Sequence, residues 1–406
     1  MKFWTVFSLL IGSFYASAQL KVSDVLAKPI SEDEMILVLA REDYLATHKF
    51  NSPWIREVDI RTRSNDRELG LEDYRIRFSL INPFEIKANR DYRKLILSQQ
   101  SLERRKSVNE ILYRRYELII ESYYIQSALN SAKNYITSLQ EIEKISMSEI
   151  MDVGDVVDIE QEITKQQLLL SNLQMKQNVL TQAFEYSQVA STPDFQDFDW
   201  ISADHMLSII RREQETPSLE LLSEQAKLEQ EESIMTIKKA EAFSNIGFIQ
   251  AEYDIERGGD IDDHLGFQIG VSVPIFNSDK PDLQRRELEL IEERAEYKEF
   301  EKAEQREDTY EALRFEALVR QVQLIQSKEE QLATLKGTIS GSEAGLSEYK
   351  KLAEYEYYLT SKLNESQMQL RYRFLQALKK SGDLDTQPYT NYLSQSLTQF
   401  DLILNF

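Results

Sequence analysis

A chain of 406 residues exceeds one ordinary domain's worth of core, yet it has only 12 Gly and 8 Pro with which to turn, so its elements must be long. A formal charge of −21 argues against a nucleic-acid surface, since phosphate binding needs clustered Lys and Arg. The absence of cysteine excludes disulfides, thiolate nucleophiles, thiolate zinc sites and a lipid-carrying N-terminal Cys.

Lys2, an apolar run over residues 3–14 and Ala16-Ser17-Ala18 follow the order of a secretory signal peptide, assigned to residues 1–18. The run is shorter than the ~20 residues of a spanning helix, and no later stretch is long and apolar enough to be one. Residues 19–53 read as a linker and one short helix carrying Met35, Leu37, Val38 and Leu39. Val58, Ile60 and Thr62 then alternate with Asp59, Arg61 and Arg63, and Ser64-Asn65-Asp66 supplies a turn. Tyr74, Ile76, Phe78 and Leu80 alternate with Arg75, Arg77 and Ser79, which completes a first β-hairpin over 54–82.

Asn82-Pro83-Phe84 opens a stretch to about residue 151 without another proline or any glycine. Within it Leu112, Tyr116, Ile119 and Tyr123, then Ala132, Tyr135, Leu139 and Ile142, step by three and four. One long amphipathic helix, or two stacked ones, would reach roughly 100 Å, and such a rod must pack on other rods. Asp152-Val153-Gly154-Asp155 reads as the tip, after which Ile163, Leu170, Leu173, Leu180 and Phe184 return, giving a first helical hairpin over 83–185.

Residues 186–242 hold a compact side structure with Phe195, Phe198 and Trp200, then a helix expected to open at Thr216-Pro217 and to carry Leu219, Leu222, Ala226 and Ile234. A second β-hairpin follows over 243–276. Ile249, Ala251, Tyr253 and Ile255 form its first arm, Gly258-Gly259-Asp260 turns it, and Leu265, Phe267, Ile269, Val271, Val273 and Ile275 form the second. Opposite that apolar row stand Gly266, Gln268, Gly270 and Ser272, and Pro274 ends the ladder. Residues 281–380 repeat the helical hairpin, with a rod from Pro281 to about Ser347 and a return arm from Tyr349 to Ala377, before a C-terminal segment over 381–406. The expected fold is mainly α with a small β part. It has two internal repeats of long antiparallel coiled-coil hairpins, and four membrane-crossing strands that contribute to a shared barrel.

Sharing follows from the strand count. Strands of about ten residues can cross a bilayer when tilted, but four cannot close a barrel, and an open edge in lipid leaves backbone groups unpaired at several kcal/mol each. Two chains would give eight strands and three would give twelve. A small soluble sheet capped by helices is the alternative, since alternation marks any half-buried strand.

The order of parts resembles the TolC-like outer-membrane efflux family. The matching stretches are 74–88 (YRIRFSLINPFEIKA), 266–277 (GFQIGVSVPIFN), the lead-in helix over 216–242 and the first tip over 153–166. The resemblance implies a homotrimer with a twelve-strand barrel in outer-membrane lipid and a helical tunnel through the periplasm. It also implies a periplasmic adaptor and an inner-membrane transporter as partners. The second tip departs from the family pattern, with Tyr349-Lys350-Lys351-Leu352 where a glycine is usual at the fourth position.

Asp152, Asp155 and Asp158 beside Gly154 are the candidate periplasmic gate, because symmetry would turn each carboxylate into a ring. Gly337, Gly341 and Gly345 recur every fourth residue and are the candidate close-packing or adaptor stripe. His48, His205 and His264 have no partner at metal-ligand spacing, so no metal, cofactor or catalytic site is expected. The sequence thus reads as a passive exit duct of a tripartite export system and not as an enzyme. A soluble periplasmic coiled-coil scaffold is the alternative.

Overall fold

The computed structural model describes residues 21–48, 53–64, 72–148, 153–186, 193–195, 197–213, 216–242, 246–253, 265–271, 280–339 and 346–404. The signal-peptide stretch 1–18, Asp152, His264, Pro274, Gly341 and Gly345 lie outside them. In chain order the elements are α1 (Val22–Leu26), α2 (Glu32–Thr47), β1 (Ile55–Ser64), β2 (Glu72–Leu80), α3 (Pro83–Ser148), α4 (Val153–Tyr186), α5 (Ala203–Glu213), α6 (Leu219–Ala242), β3 (Ile246–Tyr253), β4 (Leu265–Val271), α7 (Lys280–Ile339) and α8 (Leu346–Ser381).

Local chemistry sets the helix starts. Asn82 caps α3, its Oδ1 accepting from the Phe84 amide at 3.0 Å, and Pro83 fills the first helical position, where no amide is needed. The Asn82 side chain also donates to the Ala240 carbonyl at 3.1 Å, tying the start of the first rod to the end of α6. Ser31 and Glu34 form a reciprocal capping box at α2, with the Ser31 amide donating to Glu34 Oε2 at 2.8 Å. At α6 the expected opening at Thr216-Pro217 is corrected. Ser218 is the cap, accepting from the Leu221 amide at 2.9 Å, because its hydroxyl meets the first orphan amides once the proline has ended the extended lead-in.

The first rod is one uninterrupted helix of 66 residues, about 100 Å long. It packs against α8 and α4, and against α6 nearer the sheet, while α7 packs on α8 and on α6. The three-four spacing predicts the seams. Tyr135, Leu139 and Ile142 of α3 bury against Ile159 and Ile163 of α4, and Ile125 and Leu129 bury against Leu173 and Leu180. The largest core lies at the waist, where Leu112, Tyr116, Ile119 and Ile120 meet Phe374, Leu375 and Leu378 of α8 and the chain's final segment. Tyr116 donates its hydroxyl proton to the Thr390 carbonyl at 2.7 Å and accepts from the Tyr392 amide, so this segment is strapped across the rods.

The strands form one antiparallel sheet in the order β1-β2-β3-β4, so the two hairpins lie side by side through β2 and β3. The second helical turn is also corrected: α7 closes at Ile339 and α8 opens at Leu346, which places Tyr349-Lys350-Lys351-Leu352 in the early turns of α8 and not at a turn between helices. No helix among the described residues is long and apolar enough to cross a membrane.

Candidate functional site

The period-two alternation sorts the sheet into two chemically distinct faces. On one, the register aligns Ile60, Ile76, Ala251 and Phe267 in a row. The adjacent rows are Val58, Phe78, Ile249 and Ile269, then Thr62, Tyr74, Tyr253 and Leu265. This face is uncovered: Ile60 is 68% exposed, Phe267 76% and Ile269 75%. An apolar patch this continuous marks a surface that meets a membrane or another protein, whereas scattered surface hydrophobes do not. From Tyr74 to Leu80 it spans about 20 Å at the usual strand rise, close to the ~25 Å apolar band of outer-membrane barrels. Trp54 and Phe84, both exposed, stand at the helical end of the sheet, where the Ile81 amide donates to the Trp54 carbonyl.

The opposite face is polar and internally paired. Arg75 of β2 forms an ion pair with Glu252 of β3, joining the hairpins. Arg77 Nε donates to Gln250 Oε1 at 3.1 Å, and Gln250 Nε2 donates to Gln268 Oε1 at 3.4 Å, which carries the ladder to β4. The Arg77 guanidinium also lies 3.9 Å from the Phe248 ring centroid. Such a face suits water. The outer edges of β1 and β4 have no neighbouring strand within the described sheet, so both present unpaired backbone groups.

The helical part has matching open flanks. Val157, Leu168, Met175 and Val179 of α4 are exposed, as are Tyr310, Leu313, Leu324 and Leu335 of α7. On each helix these residues fall along one face, leaving an apolar seam that the described residues do not cover.

At the first tip, Gly154 and Asp155 lie in the first turn of α4 and not in a connecting loop, because α4 already begins at Val153. Asp158 is exposed and lines a groove of ≈ 780 Å³ together with Glu162, Lys165, Lys350 and Glu354, between α4 and α8. Sequence reasoning missed Lys350 and Lys165 as neighbours of Asp158. Lys350 is distant in the chain and only the α4 to α8 approach brings it near. Close by, a hydrogen bond with Glu160 holds the Glu143 carboxyl above the usual range, and Tyr135 stacks on Tyr357 with centroids 4.4 Å apart. Gly337 lies on α7 with open space where a side chain would start, so no described residue requires glycine there. His48 stacks on Tyr44, and His205 Nδ1 lies 3.4 Å from Gln395 Nε2. Among the described residues no group of His, Cys, Asp and Glu is arranged to hold a metal.

No protein-family model matches the sequence, and no curated protein matches it. Solved structures do resemble it in fold. The open-state MtrE outer membrane channel of Neisseria gonorrhoeae aligns with a TM-score of 0.60 at 11% identity, over 93% of this chain and 90% of that one. The outer membrane protein VceC of Vibrio cholerae gives 0.61 at 12% identity, over 88% of this chain and 95% of that one. The CmeC outer membrane channel of Campylobacter jejuni gives 0.54 at 14% identity, over 92% and 86%.

Proposed function

We propose that this chain, which has the fold of the TolC-like outer-membrane efflux channels, is one subunit of a homotrimeric exit duct. It sits in the outer membrane, with its helical rods in the periplasm. The observation that carries the proposal is the four-stranded sheet with an exposed apolar face, a paired polar face and two open edges. Such a sheet satisfies its backbone in lipid only by closing through copies of itself. Three copies give a ring with room for a wet bore, and the seams on α4 and α7 would close against each other along the rods.

In this reading the protein performs no chemistry. Cargo passes down its own gradient, or is driven by an inner-membrane transporter linked through a periplasmic adaptor, and the transporter selects what is exported. Asp152, Asp155 and Asp158 would form acidic rings at the periplasmic mouth, and the segment around Gly337, Gly341 and Gly345 would offer the second tip to the adaptor. Reconstitution of the purified oligomer in a planar bilayer tests the proposal. Discrete conductance steps are expected, whereas a protein that washes from membranes in salt and leaves the bilayer silent would be a soluble scaffold instead.

A further inference from the structure

The waist of the molecule buries two arginines to the same degree and treats them differently. Arg115 and Arg371 are each 6% exposed. Arg115 donates to the carbonyls of Leu26, Lys28 and Pro29 and has Glu34 at 3.8 Å, so its charge and its fork are both answered. Arg371 on α8 forms no hydrogen bond and no ion pair with any described residue, and its Nε is buried without an acceptor. Its guanidinium lies over aromatic rings instead, with Cζ 4.1 Å from the Trp200 ring centroid and 5.3 Å from that of Tyr123. The Trp200 indole Nε1 is itself buried without an acceptor.

Magnitudes show what is missing. Stacking on aromatic faces returns about 0.5–2 kcal/mol, while removing an ion from water costs several kcal/mol even after relaxation. Burial accordingly pulls Arg371 down to about 10, and among the described residues Tyr123, ordinarily neutral, is the titratable group that favours its charge. Phe195 packs against both Tyr123 and Trp200, and Phe198 against Trp200, so the described groups nearest the guanidinium are aromatic rings that offer it no acceptor. What Arg371 Nε and Trp200 Nε1, two buried donors without an acceptor, share with a cation that has no anionic partner among the described residues is a preference for a small negative ion.

We infer that the Arg371 and Trp200 contact at the waist is a binding site for a small monovalent anion of chloride or formate size. The guanidinium supplies charge and the indole a directed N–H, and the aromatic walls exclude larger or more strongly hydrated ions. The site would lock the segment around Trp200 onto α8. The inference rests on the surroundings of Arg371 alone and stands whether or not the chain is a channel.

The test uses the purified protein with Trp54 replaced by Phe, and Trp4 likewise in any preparation that retains residues 1–18, which leaves Trp200 as the reporter indole. Sodium chloride is titrated against sodium gluconate at constant ionic strength, reading Trp200 emission and the melting temperature. A saturable change in emission together with a saturable rise in Tm is expected in chloride and not in gluconate. Arg371→Met should abolish both responses, and in gluconate it should melt no lower than the parent because it removes an uncompensated charge. A parent protein that does not distinguish chloride from gluconate would overturn the inference, and so would an Arg371→Met protein that keeps the response. The titration of the parent decides the matter even if that variant fails to assemble.

Discussion

The Phe248 ring lies directly over Gly270 across the β3–β4 pair, so that a Cβ built on Gly270 would fall 2.3 Å from Phe248 Cε1. On its other side the ring carries the Arg77 guanidinium. Glycine here makes room for a neighbour's side chain, which in turn positions a cation on the polar face of the sheet. Gly270→Ala should therefore overpack the site at a cost of about 1–3 kcal/mol, seen as a lower melting temperature of the folded protein. Adding Phe248→Ala should restore most of the loss, since it removes the atoms the new methyl would meet.

Gly382 ends α8 in the left-handed region at φ +83, with Leu219 Cγ 2.6 Å from where a Cβ would sit. Its amide donates to the Leu378 carbonyl, the usual closure of a helix by glycine. Gly382→Ala meets both a backbone and a packing penalty and should cost more than about 1 kcal/mol. Because the turn launches the strap that Tyr116 holds, the variant should show early protease cleavage within residues 386–404 in limited digestion, before the rods are cut.

Asp385 lies at the start of that strap, and burial raises its carboxyl to about 6 despite Arg105 at 3.4 Å. A carboxyl whose folded value exceeds the unfolded one penalises the fold fully above about pH 6. That penalty is relieved as the pH falls through 6 toward about 4. Stability should thus rise over this window by an amount on the order of 1–3 kcal/mol. Asp385→Asn should remove this part of the pH dependence and should be no less stable than the parent at pH 8. Chemical denaturation between pH 4 and 8 checks it, and a parent that loses stability from this group on acidification would contradict the sign.

The tip acids make a separate prediction. Replacing Asp152, Asp155 and Asp158 together with Asn removes three carboxylates per chain from the first tip, where Gly154, Asp155 and Asp158 lie within or next to the first turn of α4. The reversal potential under a salt gradient should shift away from cation preference, with the folded state unchanged, since Asp158 is exposed. An unchanged reversal potential would place the selective constriction elsewhere.

Much of the fold was legible because its signals are local and periodic. The three-four steps from Leu112 to Ile142 predicted the buried side of α3, and the alternation from Leu265 to Gly270 predicted both faces of β4. What could not be read depended on distant partners. Arg75 and Glu252 are 177 residues apart, and only the placement of one hairpin beside the other makes them a pair. The start of α8 at Leu346 was misplaced because the residues around Tyr349 carry neither proline nor a clear cap, so the apparent tip drifted into the helix. The environment of Arg371 had no sequence signal, since a lone arginine on an amphipathic helix reads as a solvated side chain until the segment around Trp200 folds over it.

The central claim is that copies of this chain join their open sheet edges, and the absence of native cysteine permits a direct measurement. Within one chain β1 and β4 are separated by β2 and β3, roughly 14 Å across three strand spacings, too far for a disulfide. Ile269→Cys combined in turn with Val58→Cys, Ile60→Cys or Thr62→Cys therefore places thiols that can meet only between neighbours. On oxidation in native membranes, at least one of these pairs should yield a ladder ending in a covalent trimer on a denaturing gel. Cross-linking that stops at dimer, or monomer alone for every pair, would contradict the account.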